Sequence, residues 1–282
     1  MNWLLLTLVS VFGVSFAVIL QRVLMKGDRS NPYSYAIVFQ LIIAILNLLI
    51  AIGLGSQIPT LSEKFPYWIV AAILWAGGSL FFFKAIQLIE ASEIMIISSS
   101  RVIVTILAAT VFLHEVFNIQ KILGAVFIIV SIFLVSRLKK GIKFSKGVEY
   151  AFATAVFSGL AIVVDGFNVK STDPISYNVT VNFLIFLILL FFYPKVFKQW
   201  KQLIEASFLK RMLPIGIFAT VQGLAYMLAL ANGGSSSQVG TIRQASVVVT
   251  VILAAIFLKE KDYLGRKFIA AVLVTLGVIL LR

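Results

Sequence analysis

The sequence predicts an all-α, polytopic membrane protein of ten transmembrane helices, arranged as two inverted five-helix repeats. Three observations predict it. The 282 residues are 61% hydrophobic and 12% charged, with a mean hydropathy of +1.05, whereas a soluble domain carries about 25% charged residues. The apolar residues gather in ten runs whose lengths approach the roughly 20 residues needed to cross a hydrocarbon core of about 30 Å. Short motifs recur in the two halves at near-constant spacing.

The first run, 3–21, has no basic stretch before it and no clear small-x-small cleavage site, so it reads as a span rather than a signal peptide. The second, 34–54, follows the turn-favouring Asn31-Pro32, and the third is 67–88. The fourth, 94–113, begins behind Glu90 and Glu93, and the fifth, 120–136, follows His114-Glu115. A basic connector, 138–147, is too short to fold alone and separates the repeat 1–137 from the repeat 148–282. The second half repeats the order with runs 148–167, 175–193, 212–231, 239–258 and 264–281. Between the seventh and eighth runs, Val196, Trp200, Leu203, Ile204 and Phe208 share a helical face, a pattern that predicts a helix lying in the interface over 195–211.

The repeat rests on two alignments. Pro32-Tyr33-Ser34-Tyr35 matches Pro174-Ile175-Ser176-Tyr177, and Thr105 to Phe112, Leu113 and Glu115 matches Thr250 to Phe257, Leu258 and Glu260. Five spans is an odd number, so the second copy must cross the membrane in the opposite sense. Lys and Arg collect in the connectors after the first, fifth, seventh and ninth runs, with only Lys64, Lys121, Lys170 and Arg282 opposite, which places both termini away from the cytoplasm.

The same composition excludes several kinds of chemistry. There is no cysteine and a single histidine, His114, and the 11 acidic residues are spread thinly with no Asp-x-x-Asp pair, so disulfides, thiolate chemistry and a metal site are disfavoured and no cofactor is expected. The net charge of +13 comes mainly from Lys and Arg in loops rather than from one basic stripe, which points to the lipid bilayer surface as partner and not to nucleic acid.

The pair Phe112-Leu113-His114-Glu115 followed by Gln120 and Gly124-Ala125, and Phe257-Leu258-Lys259-Glu260 followed by Gly265, resembles the EamA family of the drug/metabolite transporter superfamily. The resemblance covers nearly the whole chain. It implies a secondary-type transporter of a small solute such as an amino acid, organic acid or drug-like molecule, working by alternating access in a prokaryotic cell membrane, and it implies cytoplasmic termini. Val102 and Val247 stand where the family often has a proline, and Gln40 and Asn182 lie near the position of a frequent arginine. A membrane enzyme acting on lipid-linked substrates would need clustered acids, a metal site or an activated nucleophile, and none is visible; a structural subunit would need neither the repeat nor the polar residues within spans.

An ionisable group in mid-bilayer costs at least about 2.5–3.5 kcal/mol, so each one needs a cavity, a partner or a route to the interface. Arg101, behind Ser98-Ser99-Ser100, and Arg243, behind Ser235-Ser236-Ser237-Gln238, lie at similar depth in equivalent runs. Each either faces a solute in a central cavity or snorkels to pair with a helix end. Ser98, Gln40, Asn182, Tyr226 and Gln244, with Gln222 and Ser246, extend the candidate cavity, although interhelical hydrogen bonding explains such groups equally well. Asp165 is a candidate for coupling to a proton, or an acid exposed at a helix end. Lys84 is expected to snorkel or to reach Glu90 or Glu93, Glu115 and Glu260 to pair structurally, and the stripe Ala151, Ala155, Gly159 to pack helices. The charge count predicts that a reporter fused in the Lys139 connector reads cytoplasmic and one in the Lys64 connector does not; the reverse result contradicts it.

Overall fold

The computed structural model describes residues 2–26, 31–55, 65–113, 119–136, 145–169, 172–199, 205–232, 239 and 242–280. Within them the regular structure is helical: α1 Trp3–Met25, α2 Pro32–Gly53, α3 Phe65–Leu88, α4 Ala91–Ser98, α5 Arg101–Leu113, α6 Ile119–Ser136, α7 Lys146–Val169, α8 Pro174–Phe192, α9 Ala206–Ala231, α10 Ala245–Phe257 and α11 Leu264–Leu280, with a 3-10 segment at Pro194–Gln199. Six of the described helices are long and apolar enough to cross a membrane. The fourth run falls short of a single long helix because it breaks into α4 and α5.

The repeated proline motif proves to be a helix start. Asn31 and Asp173 are N-caps, accepting from Tyr33 N at 3.0 Å and Ser176 N at 2.9 Å, and each is followed by proline at the first helical position, where the missing N–H is no loss. The connector expectations need correction. Lys146 and Gly147 belong to the first turn of α7 rather than to the linker. The proposed interfacial helix is a 3-10 segment at its start and the first turns of α9 at its end, while 200–204 fall outside the described residues.

Helix pairings come in matched sets. The pairs α3–α7 and α1–α9 exchange under the repeat, as do α5–α7 with α10–α1 and α3–α8 with α9–α2, while α2 pairs with α8 and α6 with α11. Close approach depends on small residues. A Cβ on Gly159 would lie 2.7 Å from Arg101 O and 2.8 Å from Val104 Cβ, and one on Gly277 would lie 2.7 Å from Gly124 O. Ala151 and Ala155 on the same stripe of α7 are fully buried. Outward, the bundle presents large apolar side chains to its surroundings, Leu5, Phe12, Ile52, Phe191 and Phe192 among them, as a lipid-facing surface must.

At the end of the bundle where α1 finishes, four charged residues tie five helices together. Arg22 Nη1 donates to the carbonyls of Ile86 and Gln87 at 2.5 and 3.2 Å, covering the open C-terminus of α3. Glu260 accepts from Ala91 N at 3.2 Å, Ser92 N at 3.4 Å and Ser92 Oγ at 3.0 Å, covering the N-terminus of α4. Arg22 Nε and Glu260 Oε1 lie 3.7 Å apart between these two helix ends. Lys267, fully buried in α11, pairs with Glu90, which shares a capping box with Glu93. The loop that delivers Glu260 carries two left-handed non-glycine residues, Lys259 (φ 55°) and Tyr263 (φ 52°), a conformation worth about 1–2 kcal/mol of strain per residue, and Glu260 N bonds back to Ala254 O at 3.2 Å. The expectation of a structural role for Glu260 matches this geometry; His114 and Glu115 lie outside the described residues.

Two outcomes follow. Gly159→Val forces Val104 and the α5 backbone apart and lowers detergent-phase stability by about 1–3 kcal/mol, while Gly53→Ala, which meets nothing within 4 Å, changes it little; equal thermal midpoints for the two variants contradict the packing. In a double-mutant cycle, Glu260→Ala and Arg22→Ala each destabilise and couple by roughly 1–3 kcal/mol; strict additivity in thermal unfolding sinks the pairing.

Candidate functional site

The break between α4 and α5 is built by serines. Ser99 N and Ser100 N bond to Ile96 O and Ile97 O at 3.3 and 3.1 Å, the tighter 3-10 spacing, and the hydroxyls of Ser98, Ser99 and Ser100 donate to Ile94 O, Met95 O and Ile97 O at 2.6, 2.7 and 2.8 Å. Carbonyls loosened at the break thus find donors without water. The chain resumes as α5 with Arg101 as its first residue. In the other half, α10 resumes after a comparable turn at Gln244, where Val247 N bonds Gln244 O at 3.0 Å; residues 235–238 before it lie outside the described set.

Arg101 and Arg243 share an electrostatic neighbourhood here. Arg101 has Arg243 and Tyr226 as its electrostatic neighbours, and it makes no hydrogen bond or ion pair among the described residues. Arg243 stacks over the Tyr226 ring at 4.2 Å and donates from Nη2 to Gln222 Oε1 at 2.9 Å, while its Nε and the buried Oε1 of Gln244 have no partner among the described residues. The Tyr226 face supplies a cation–π contact worth about 0.5–2 kcal/mol. Ser98, Tyr226, Gln244 and both arginines therefore belong to one neighbourhood of broken helices. The arginines are not at equivalent positions, however. In the register that pairs Thr105 with Thr250, Arg101 lines up with Ser246 and Arg243 with Ser98, nearly a turn apart.

Gln40 and Asn182 are placed elsewhere. Gln40 Nε2 donates to Asn182 Oδ1 at 2.6 Å, Asn182 Nδ2 to Asn178 Oδ1 at 2.8 Å, and Asn178 Nδ2 to Asn47 Oδ1 at 3.2 Å. This amide ladder fills the α2–α8 seam, and no hydrogen bond or ring contact joins it to the arginines among the described residues. Asn47 and Asn178 had no motif to mark them; their one signal is an amide facing a known partner helix at helical spacing from Gln40 and Asn182.

Asp165 also stands apart from both arginines. Its Oδ2 accepts from Trp75 Nε1 at 2.8 Å and its Oδ1 from Tyr177 OH at 2.5 Å, while Asn168 Nδ2 donates to the same phenol at 3.3 Å. The carboxyl is thus held by neutral donors, with no cation against it among the described residues. Trp75 is one of its two anchors. Lys84 has aromatic neighbours that the sequence did not announce. Its ammonium lies over the rings of Tyr33, Tyr150 and Phe81 at 4.6, 5.3 and 5.5 Å, and Glu90 is taken by Lys267.

The model of the EamA-like transporter family matches residues 1–137 and again 145–282. A crystal structure of another protein superposes with a TM-score of 0.68 over 98% of this chain and 94% of its own, at 14% identity, which shows a shared fold. An uncharacterized protein of Methanocaldococcus jannaschii is 31% identical over 108 residues, covering 38% of this chain and 79% of the relative, so that relative is about half as long. With both halves matched by one family model and the whole fold shared, the chain belongs to the EamA-like transporter family of the drug/metabolite transporter superfamily.

Proposed function

We propose that this protein carries a small metabolite, such as an amino acid or organic acid, across a prokaryotic cell membrane by alternating access, with ten spans forming two inverted five-helix repeats. The observation that carries the reading is the shared electrostatic neighbourhood of Arg101 and Arg243 at two interrupted helices, since discontinuous helices are how many transporters build a midplane site. The exchange of helix pairings between the halves and the half-length archaeal relative support the repeat. Membership of a transporter family favours transport over catalysis or a purely structural role.

Alternating access needs a closure that can be undone. The Arg22–Glu260 and Lys267–Glu90 pairs supply one at the basic end of the bundle, bordering a polar pocket of about 200 Å³ lined in part by Arg22, Glu90, Lys259, Glu260 and Asp262. Water entering there can take over the hydrogen bonds of both helix ends. In this reading Arg101, Arg243, Ser98, Tyr226 and Gln244 contact the solute, while Gln40 and Asn182 line the seam beside it. Asp165 is the coupling carboxyl, a group with Tyr177 as its one titratable neighbour among its hydrogen-bond partners.

Transport assays on purified protein in proteoliposomes test this. Arg101→Gln and Arg243→Gln should each cut substrate flux at least tenfold, about 1.4 kcal/mol of lost stabilisation, with monodispersity retained. Asp165→Asn should remove the dependence of flux on an imposed pH gradient. Full flux in both arginine variants removes them from the site, and no flux of any small solute, together with turnover of a lipid-linked one, defeats the transport reading.

A further inference from the structure

The site contains an unbalanced charge. Two guanidinium groups share one electrostatic neighbourhood among membrane-embedded helices, and the groups that touch Arg243 are neutral: the Gln222 carboxamide and the Tyr226 ring. Among the described residues no carboxylate is an electrostatic neighbour of either one. Asp165, near the C-terminal end of α7, has both oxygens committed to Trp75 and Tyr177 in a separate cluster. The other acids buried against the bundle, Glu90, Glu93 and Glu260, gather at its end as electrostatic neighbours of Arg22, with Glu90 paired to Lys267.

Donor capacity is unbalanced in the same sense. A guanidinium presents five N–H groups in a planar fork suited to carboxylate or phosphate oxygens. Arg243 commits one of its nitrogens to Gln222 and leaves Nε buried and unpartnered, and Arg101 makes no hydrogen bond among the described residues. A cation held in low dielectric without a counter-charge is costly, and two adjacent ones add mutual repulsion. A bound monoanion balances half of this charge. Resting on the transport reading above, we propose that the solute is a small dianion, a dicarboxylate or a phosphate monoester, whose two negative charges are shared between Arg101 and Arg243.

The chemistry predicts a ladder. At mildly alkaline pH, where both carboxyls are ionised, purified protein in detergent is titrated with succinate, succinamate and succinamide, which keep one skeleton while removing one charge at a time, and in parallel with glycerol 3-phosphate and glycerol. Affinities are read from the concentration dependence of the thermal midpoint. We expect succinate or glycerol 3-phosphate to bind at least tenfold more tightly than its analogue of lower charge, and whichever does so identifies carboxylate or phosphoryl recognition. Arg101→Gln and Arg243→Gln abolish the preference, Arg101→Lys and Arg243→Lys restore part of it, and Lys198→Gln at the exposed basic end leaves it intact, which separates charge recognition from folding and from general surface attraction. Equal binding across a ladder, no shift with any dianion, or a preference that survives both glutamine variants overturns the proposal. Flux assays keep the two readings apart: uptake of a neutral or zwitterionic solute with dianions inert overturns the dianion and leaves transport standing, whereas dianion binding in detergent with no flux of any solute overturns transport and leaves the anion site.

Discussion

Hydrocarbon offers no hydrogen bonds, and this structure depends on answering the backbone polar atoms of its helix ends and breaks from within. The answers are local at the α4–α5 break, where three serine hydroxyls serve the carbonyls of their own turn. They are long-range at the bundle end, where Arg22 covers the C-terminus of α3 and Glu260 the N-terminus of α4. Both devices do what water does at the end of a soluble helix. They differ in reversibility, since a serine bonded to its own helix travels with it, whereas a charge bonded to another helix can let go.

Packing supplies the rest. Without a hydrophobic force between helices in lipid, association comes from close contact and scattered interhelical hydrogen bonds of modest strength, about 0.6 kcal/mol on average. Gly159 and Gly277 let backbones approach within van der Waals contact of neighbouring carbonyls, and the Asn47–Asn178–Asn182–Gln40 ladder aligns α2 with α8. Aromatic stacking at Tyr33–Tyr193 and Phe16–Phe218 adds directional contacts at other seams.

Much of this was legible in the sequence because the membrane imposes length. Apolar runs mark most of the helices, and the Asn31-Pro32 and Asp173-Pro174 pairs mark starts through a local mechanism, cap plus proline, that needs no tertiary information. The break at Ser99–Ser100 was not legible as a break, because serines are tolerated in a continuous span and no glycine or proline interrupts the run. Polar partnerships were the least readable. Gln40 and Asn182 were both singled out, yet nothing in their spacing says that they bond each other, and Trp75 lies ninety positions before the Asp165 it serves. Lys84 was expected to snorkel or to reach Glu90 or Glu93, and nothing near it in sequence announced the rings that α2 and α7 bring around it.

The offset between the two arginines has an evolutionary side. Two identical subunits related by a symmetry axis must place identical residues at equivalent positions, so they present arginine opposite arginine or serine opposite serine. Joining both halves in one chain lifts that restriction, and here Arg101 stands opposite Ser246 and Arg243 opposite Ser98. A site built this way has a head and a tail. Under the proposed transport reading, a solute turned end for end meets a different surface, and the two halves of the cycle need not be images of each other in energy.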